Sequence, residues 1–162
     1  EVAKRAFQRA IASLASSSGA KPQELHRELH QVMDLYAGGK SSGYELKEGD
    51  LKLARGKLKD LKDKAKKIEA RTLPELLKAH EFLDCLEVAE VAVEHLLYRR
   101  ETRWPVYQSR KDYPTRDDHR WLVILNSSRD PQSGDITIEE EKLDKQTSGG
   151  MMYGDNYTVR PL

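Results

Sequence analysis

Cysteine is almost missing from this sequence: Cys85 stands alone among 162 residues. An internal disulfide is thereby excluded, as is a cysteine set for an iron–sulfur cluster or a structural zinc. Long apolar runs are missing too. None approaches the roughly 20 residues that span a bilayer, and the first residues do not read as a basic-then-apolar leader. Membrane insertion is not expected, and the expected location is cytoplasmic. Neither sign of charge is in excess: 28 Lys and Arg face 27 Asp and Glu, for a formal net charge of +1. That balance gives no general pull toward nucleic acid. No internal repeat, no nucleophile–base pair and no Gly-rich dinucleotide fingerprint appears.

What is present fits one domain with a small helical core. Hydrophobic residues make up 38% and charged residues 34%, too wet a mixture for a large buried sheet. The chain opens at Glu1 within a helical pattern, and reads as a piece of a longer protein or as a processed one.

Apolar residues recur at helical spacing through Val2, Ala6, Phe7, Ala10, Ile11 and Leu14, up to a linker at Ser16–Gly19. A second helix starts near Pro22, a residue favoured in the first turn. Its stripe is Leu25, Leu29, Val32 and Tyr36, and Gly38-Gly39 stops it. Residues 38–49 read as a loop with Tyr44 as its anchor. Leu51, Ala54, Leu58, Leu61, Ala65 and Ile68 form the seam of a third helix. Thr72 and Glu75 make a capping box that opens a fourth. That helix carries Leu76, Ala79, Leu83, Leu86, Val93 and Leu97, widened by Phe82, Ala89 and Leu96 and interrupted by Glu90. It is expected to pack on two sides and to end at Pro105. Beyond it the period changes to two. Trp121–Leu125 and Ile136–Ile138 read as strands around the turn Asp130–Asp135. The expected division is a helix and linker over 1–20, a helical bundle over 21–104, an aromatic arm and β-hairpin over 105–141, and an extended or disordered tail over 142–162.

The stretch from Arg99 to Asp130 obeys no local rule. Two Trp, two Tyr, two Pro and many charges share it. Irregular backbone held by large aromatics and paired charges usually exists to fit a surface. The candidate docking residues are Arg103, Trp104, Tyr107, Arg110, Asp112, Tyr113 and Trp121. Arg103, Arg110 and Arg116, with Asp112, Asp117 and Asp118, can hold an external anion or one another. The balance of acids favours internal pairing. The sequence leaves open whether the Trp104 ring is buried here or serves a partner.

Other chemistry is thin. Gly39-Lys40-Ser41 resembles the end of a phosphate loop, but Asp34 holds the place of its first glycine, so a helix cap and loop is the better reading. His26 and His30 are four apart without a third ligand and read as surface histidines. Lys52–Lys67 reads as a solvated face, and Cys85 as a buried small hydrophobe. No catalytic, cofactor-binding or metal-binding residue is assigned.

Three motifs carry a family resemblance. They are Glu101-Thr102-Arg103-Trp104-Pro105, Arg110-Lys111-Asp112-Tyr113-Pro114 and Asp117-Asp118…Trp121. Together they resemble the C-terminal domain of fumarate reductase and succinate dehydrogenase flavoprotein subunits. Asn126-Ser127, Asp130-Pro131…Gly134, Met33-Asp34…Tyr36…Gly38-Gly39 and Ala70-Arg71…Leu73…Glu75-Leu76 look like its adenylylsulfate reductase alpha-subunit branch. Val106 and Gln108 stand where that branch is expected to carry glycine and an aromatic.

The resemblance implies an antiparallel, spectrin-repeat-like three-helix bundle with an arm and a hairpin. It also implies a parent that reduces adenylylsulfate to sulfite and AMP, or the reverse. The FAD, an FAD-binding domain and the catalytic residues would lie in earlier parts of that parent, and an iron–sulfur subunit would be the partner. This chain is expected to hold no cofactor and to be inactive alone. The Glu1–Leu14 helix would then close the flavin domain. The rival readings are a fumarate reductase-type fragment with another acceptor, a free-standing interaction module and, more remotely, a basic-helix nucleic-acid binder.

Overall fold

The computed structural model describes residues 19–143. The Val2–Leu14 pattern and nearly all of the expected tail lie outside them. Three long helices, α1 (Pro22–Tyr36), α2 (Glu48–Ala65) and α3 (Leu73–Tyr98), each pack against the other two. Glu45–Leu46 (β1) and Ser109–Arg110 (β2) form a short parallel pair. A single turn, α4 (Asp118–Trp121), leads into the antiparallel hairpin of β3 (Val123–Arg129) and β4 (Ile136–Lys142). The chain is mainly helical with a small C-terminal β-hairpin.

Apolar spacing explains the core. Leu25, Leu29 and Val32 of α1 and Leu51, Ala54, Leu58, Leu61 and Ala65 of α2 are buried, as their period demands, and Ile68, the sixth expected seam residue, is buried just beyond the end of α2. Gly38 follows α1 with a φ of +79°, and a Cβ there would come within 2.8 Å of Leu46 Cδ2. Only glycine meets both conditions. The outer faces of α2 are solvated and paired: Lys64 reaches Glu28 at 2.6 Å, and Lys62 reaches Glu90 at 2.9 Å.

In α3 the buried residues are Ala79, Phe82, Leu86, Ala89 and Val93. This stripe corrects two expectations. Leu83 is 37% exposed, and Cys85 is exposed rather than buried. Cys85 sits about 100° around the helix from Leu86, which turns it off the core. Thr72 Oγ1 accepts from Glu75 N–H, but the Glu75 carboxylate reaches back to Arg71 N–H rather than to the cap residue. Glu90 interrupts the apolar pattern because it accepts from Lys62 of α2 and from Arg129 of β3.

Helix α3 ends at Tyr98, seven residues before Pro105, correcting the expected stop. Arg99 is extended, with φ −78° and ψ 113°, and its guanidinium donates to Trp121 O and Val123 O. Trp121 is likewise the last residue of α4 and not the first of a strand. The hairpin runs longer than expected, pairing Val123 with Lys142 and Arg129 with Ile136. Its turn is fixed by the Asp130 carboxylate, which accepts from Gln132 and Ser133 N–H at 2.7 Å.

The Phe82 ring is fully buried. Phe82→Ala should cost about 3–5 kcal/mol by denaturant unfolding, whereas Cys85→Ser on the open face should stay within about 0.5 kcal/mol.

Candidate functional site

The segment after α3 has little secondary structure, so its backbone groups need other partners. Side chains supply them. Glu101, whose side chain has no exposed surface, accepts from Arg99 Nη1 and Arg103 Nε, each at 2.7 Å. It also accepts from Asp117 N–H at 3.1 Å. Arg103 then reaches Trp121 O and Asp118, and Arg116 reaches the same Asp118. The arginines therefore pair internally. Arg116 and Arg103 hold the Asp118 carboxyl below its ordinary value.

Thr102 is the second buried node. Its Oγ1 accepts from Arg110 N–H at 2.8 Å and donates to Tyr113 O at 2.8 Å. Its own N–H donates to Thr115 O.

The R-x-D motif caps two helices at once. Arg110 is 3% exposed, and its Nη1 donates to Leu96 O and Arg99 O, carbonyls at the open end of α3. Asp112 accepts from Glu48 N–H at the start of α2. A cation at one helix C-terminus and an anion at another N-terminus both oppose the helix dipole. Arg110 Nε and Nη2 are buried without a hydrogen-bond partner among the described residues, Nη2 standing 3.9 Å from the Asp112 carboxylate, and that burial lowers the guanidinium pKa. The Tyr113 ring lies 5.2 Å from the Arg110 guanidinium, and its hydroxyl donates to Glu48.

Lys111 N–H donates to Leu46 O and Ser109 N–H to Tyr44 O, binding β2 to the loop before α2. In that loop Leu46 is the buried residue. Tyr44, the expected anchor, is 54% exposed with a left-handed backbone, a further correction. The Gly39-Lys40-Ser41 loop closes on Asp34, whose carboxylate accepts from Ser41 N–H and Oγ–H and is held below its usual pKa by them. A carboxylate thus takes those donors, and no phosphate cradle forms.

The seven candidates divide into two sets. Arg103, Arg110, Asp112, Tyr113 and Trp121 hold the segment together. The Trp121 ring packs edge-on to Tyr98, with the Arg120 guanidinium 4.2 Å from its centroid. Trp104 and Tyr107 point outward, 64% and 75% exposed, with Val106 between them at 88%. A turn closes this tip through Tyr107 N–H and Gln108 N–H, both donating to Trp104 O. Glu101, Thr102 and Arg99 were not among the candidates, although the run Arg-Arg-Glu-Thr-Arg signalled them. Their roles depend on partners farther along the chain: the Trp121 and Val123 carbonyls for Arg99, Asp117 N–H for Glu101, and Arg110 N–H and Tyr113 O for Thr102.

Among the described residues, Asp112 occupies the N-terminus of α2 and the Thr72 hydroxyl that of α3, while that of α1 carries no side-chain cap. No group of three or more metal-ligating side chains occurs among them, and no helix of theirs is long and apolar enough to cross a membrane.

Two outcomes test this network. Glu101→Ala leaves two arginines facing a hole and should cost about 3–5 kcal/mol in chemical unfolding. At the hairpin, Arg120 and the Tyr98 hydroxyl lower the Glu140 carboxyl to about 2. Because the folded value is the lower one, the interaction is present above the ordinary carboxylate range and fades as pH falls toward about 2. A carboxyl-detected NMR titration should place the Glu140 midpoint there, and Tyr98→Phe should raise it.

Comparison with known proteins agrees with this geometry. Residues 26–157 match the model of the fumarate reductase flavoprotein C-terminal family. The alpha subunit of adenylylsulfate reductase from Megalodesulfovibrio gigas is 28% identical over 117 residues, covering 72% of this chain and 18% of that protein. The adenylylsulfate reductase structure from Archaeoglobus fulgidus superposes with a TM-score of 0.76 at 35% identity, over 78% of this chain and 20% of that one. A mutated E. coli quinol fumarate reductase shares the fold at 20% identity, with a TM-score of 0.75 over 87% of this chain and 24% of that one. The chain thus spans about a fifth of the length of these relatives. It belongs to the fumarate reductase flavoprotein C-terminal domain family, with adenylylsulfate reductase alpha subunits among its relatives.

Proposed function

We propose that this chain is the C-terminal helical lobe of a flavin-dependent oxidoreductase subunit of the adenylylsulfate reductase type. The three long helices act as a compact bundle that carries the aromatic arm. The parent reaction is the two-electron reduction of adenylylsulfate to sulfite and AMP, or its reverse. FAD and the reacting groups belong to the rest of the parent, and an iron–sulfur subunit is its electron partner. This lobe is structural. It docks on the flavin-binding part through the Trp104–Tyr107 tip and performs no chemistry itself.

The observation that carries the reading is the contrast within one segment. Buried ion pairs and two helix caps immobilise its ends, yet Trp104, Val106 and Tyr107 stay in solvent. A rigid platform presenting exposed aromatics has the character of an interface anchor.

The double substitution Trp104→Ala and Tyr107→Ala should leave the unfolding free energy of the isolated chain within about 0.5 kcal/mol. The same pair in the parent subunit should loosen the lobe, read as faster proteolytic release. Unchanged release would sink the docking role. Reading the coding sequence upstream of Glu1 tests the parentage: a Gly-x-Gly-x-x-Gly fingerprint supports it, and a start codon just before Glu1 contradicts it.

A further inference from the structure

Helix α3 is apolar on two opposite sides, and the bundle covers one of them. The covered stripe runs through Phe82, Leu86 and Val93. At about 100° per residue, a second stripe opposes it. That stripe is Leu73, Leu77, Val88 and Val91, with His80 and Asp84 at its middle. Leu73, Leu77 and Val88 are 74%, 62% and 68% exposed. Val91 is half-buried. On one flank Glu87 and Glu90 pair with Arg129, and Glu94 with Arg55, so the hairpin and α2 close that side. Nothing among the described residues closes the second stripe. His80 and Asp84 stand four apart on it, both exposed, and neither makes a hydrogen bond or an ion pair among the described residues. A helix that is apolar on both sides is ordinarily covered on both. The stripe is separate from the Trp104–Tyr107 tip, so the docking reading leaves it unexplained.

We propose that the second stripe of α3 is the seat of a second copy of this chain, the two helices packing antiparallel about a two-fold axis level with residue 82. The order of residues along the stripe carries the argument. Its apolar pairs stand at the two ends and its unlike polar residues in the middle. A two-fold axis makes one patch meet itself reversed, so such a patch must complement its own reversal. This one does. Leu73 faces Val91 of the second copy, and Leu77 stands within one residue of Val88 of the second copy. His80 faces Asp84 of the second copy, and the axis repeats that pair. An imidazole N–H then donates to a carboxylate twice, and two polar groups that are idle in one chain gain partners. Charge also selects the arrangement. Parallel helices, or an axis level with residue 84, would set Asp84 against Asp84. The seam from Leu73 to Val91 covers about 27 Å of helix at 1.5 Å per residue, a length typical of helix pairs. Lys78 and Glu81 lie along its margin, where solvent reaches them.

Sedimentation equilibrium of the 162-residue chain tests this, under reducing conditions so that Cys85 forms no cross-link. The chain should show a concentration-dependent species of twice its 18.5 kDa mass. Leu77→Glu and Val88→Glu, each on the open side of α3, should keep the helical circular dichroism spectrum and raise the dimer dissociation constant at least about tenfold. His80→Asp sets carboxylates against each other and should also weaken the dimer. Adding Asp84→His to it exchanges the two partners and should restore the dimer, an outcome that a merely structural role for either residue would not produce. A monomer at every concentration overturns the proposal. So does a dimer that ignores Leu77→Glu and is lost with Trp104→Ala, which would place the contact at the tip. A dimer weakened by His80→Asp and not regained by the exchange overturns the antiparallel arrangement. None of these readouts depends on the flavin parentage.

Discussion

The buried Glu101 carboxylate is the point on which the non-helical half of this protein is built. It sits three residues past the end of α3 and gathers two guanidinium groups and one backbone N–H. Arg99 also donates to the carbonyls of Trp121 and Val123, and Arg103 to the Trp121 carbonyl and to Asp118. One carboxylate therefore fixes the start of the hairpin as well as the exit of the helix. A strand ladder would satisfy backbone groups locally. This segment has almost none, and a network of side-chain hydrogen bonds takes its place.

The R-x-D motif follows from the same constraint. Arg110 and Asp112 are two residues apart, and each closes an open helix end belonging to a different helix. The aromatic segment is thus integrated with the bundle and does not hang from it. Its firmness gives meaning to the exposed tip. Trp104, Val106 and Tyr107 stay in water on a backbone with little freedom to bury them elsewhere. Burial of such a tip against a larger surface carries little ordering entropy, because the framework is already fixed.

The helices were legible residue by residue. Leu51, Ala54, Leu58, Leu61 and Ala65 have one spacing and one buried face, and a period is a local property. The Asp130–Asp135 turn was legible for a similar reason, since Asp and Gly determine it within six residues. Cys85 and Leu83 were not, because α3 is apolar around much of its circumference and its composition does not choose which stripe faces the core. The candidate site was half legible. Its residue types and its internal pairing could be read, but which aromatics turn inward could not. Trp121 and Trp104 differ by neighbours that lie far away in sequence.

The sequence by itself determined the stripes of α1 and α2, the Thr72 cap that opens α3 and the Asp130–Asp135 turn, because each rests on contacts a few residues apart. The tertiary structure alone decided where α3 stops, which face of it is covered, and which aromatics stay in solvent. Those outcomes depend on Trp121 and Val123 carbonyls reaching Arg99 and on Arg110 reaching Leu96. Such long-range bonds outweigh local helix propensity, and they exist only once the chain has folded back on itself.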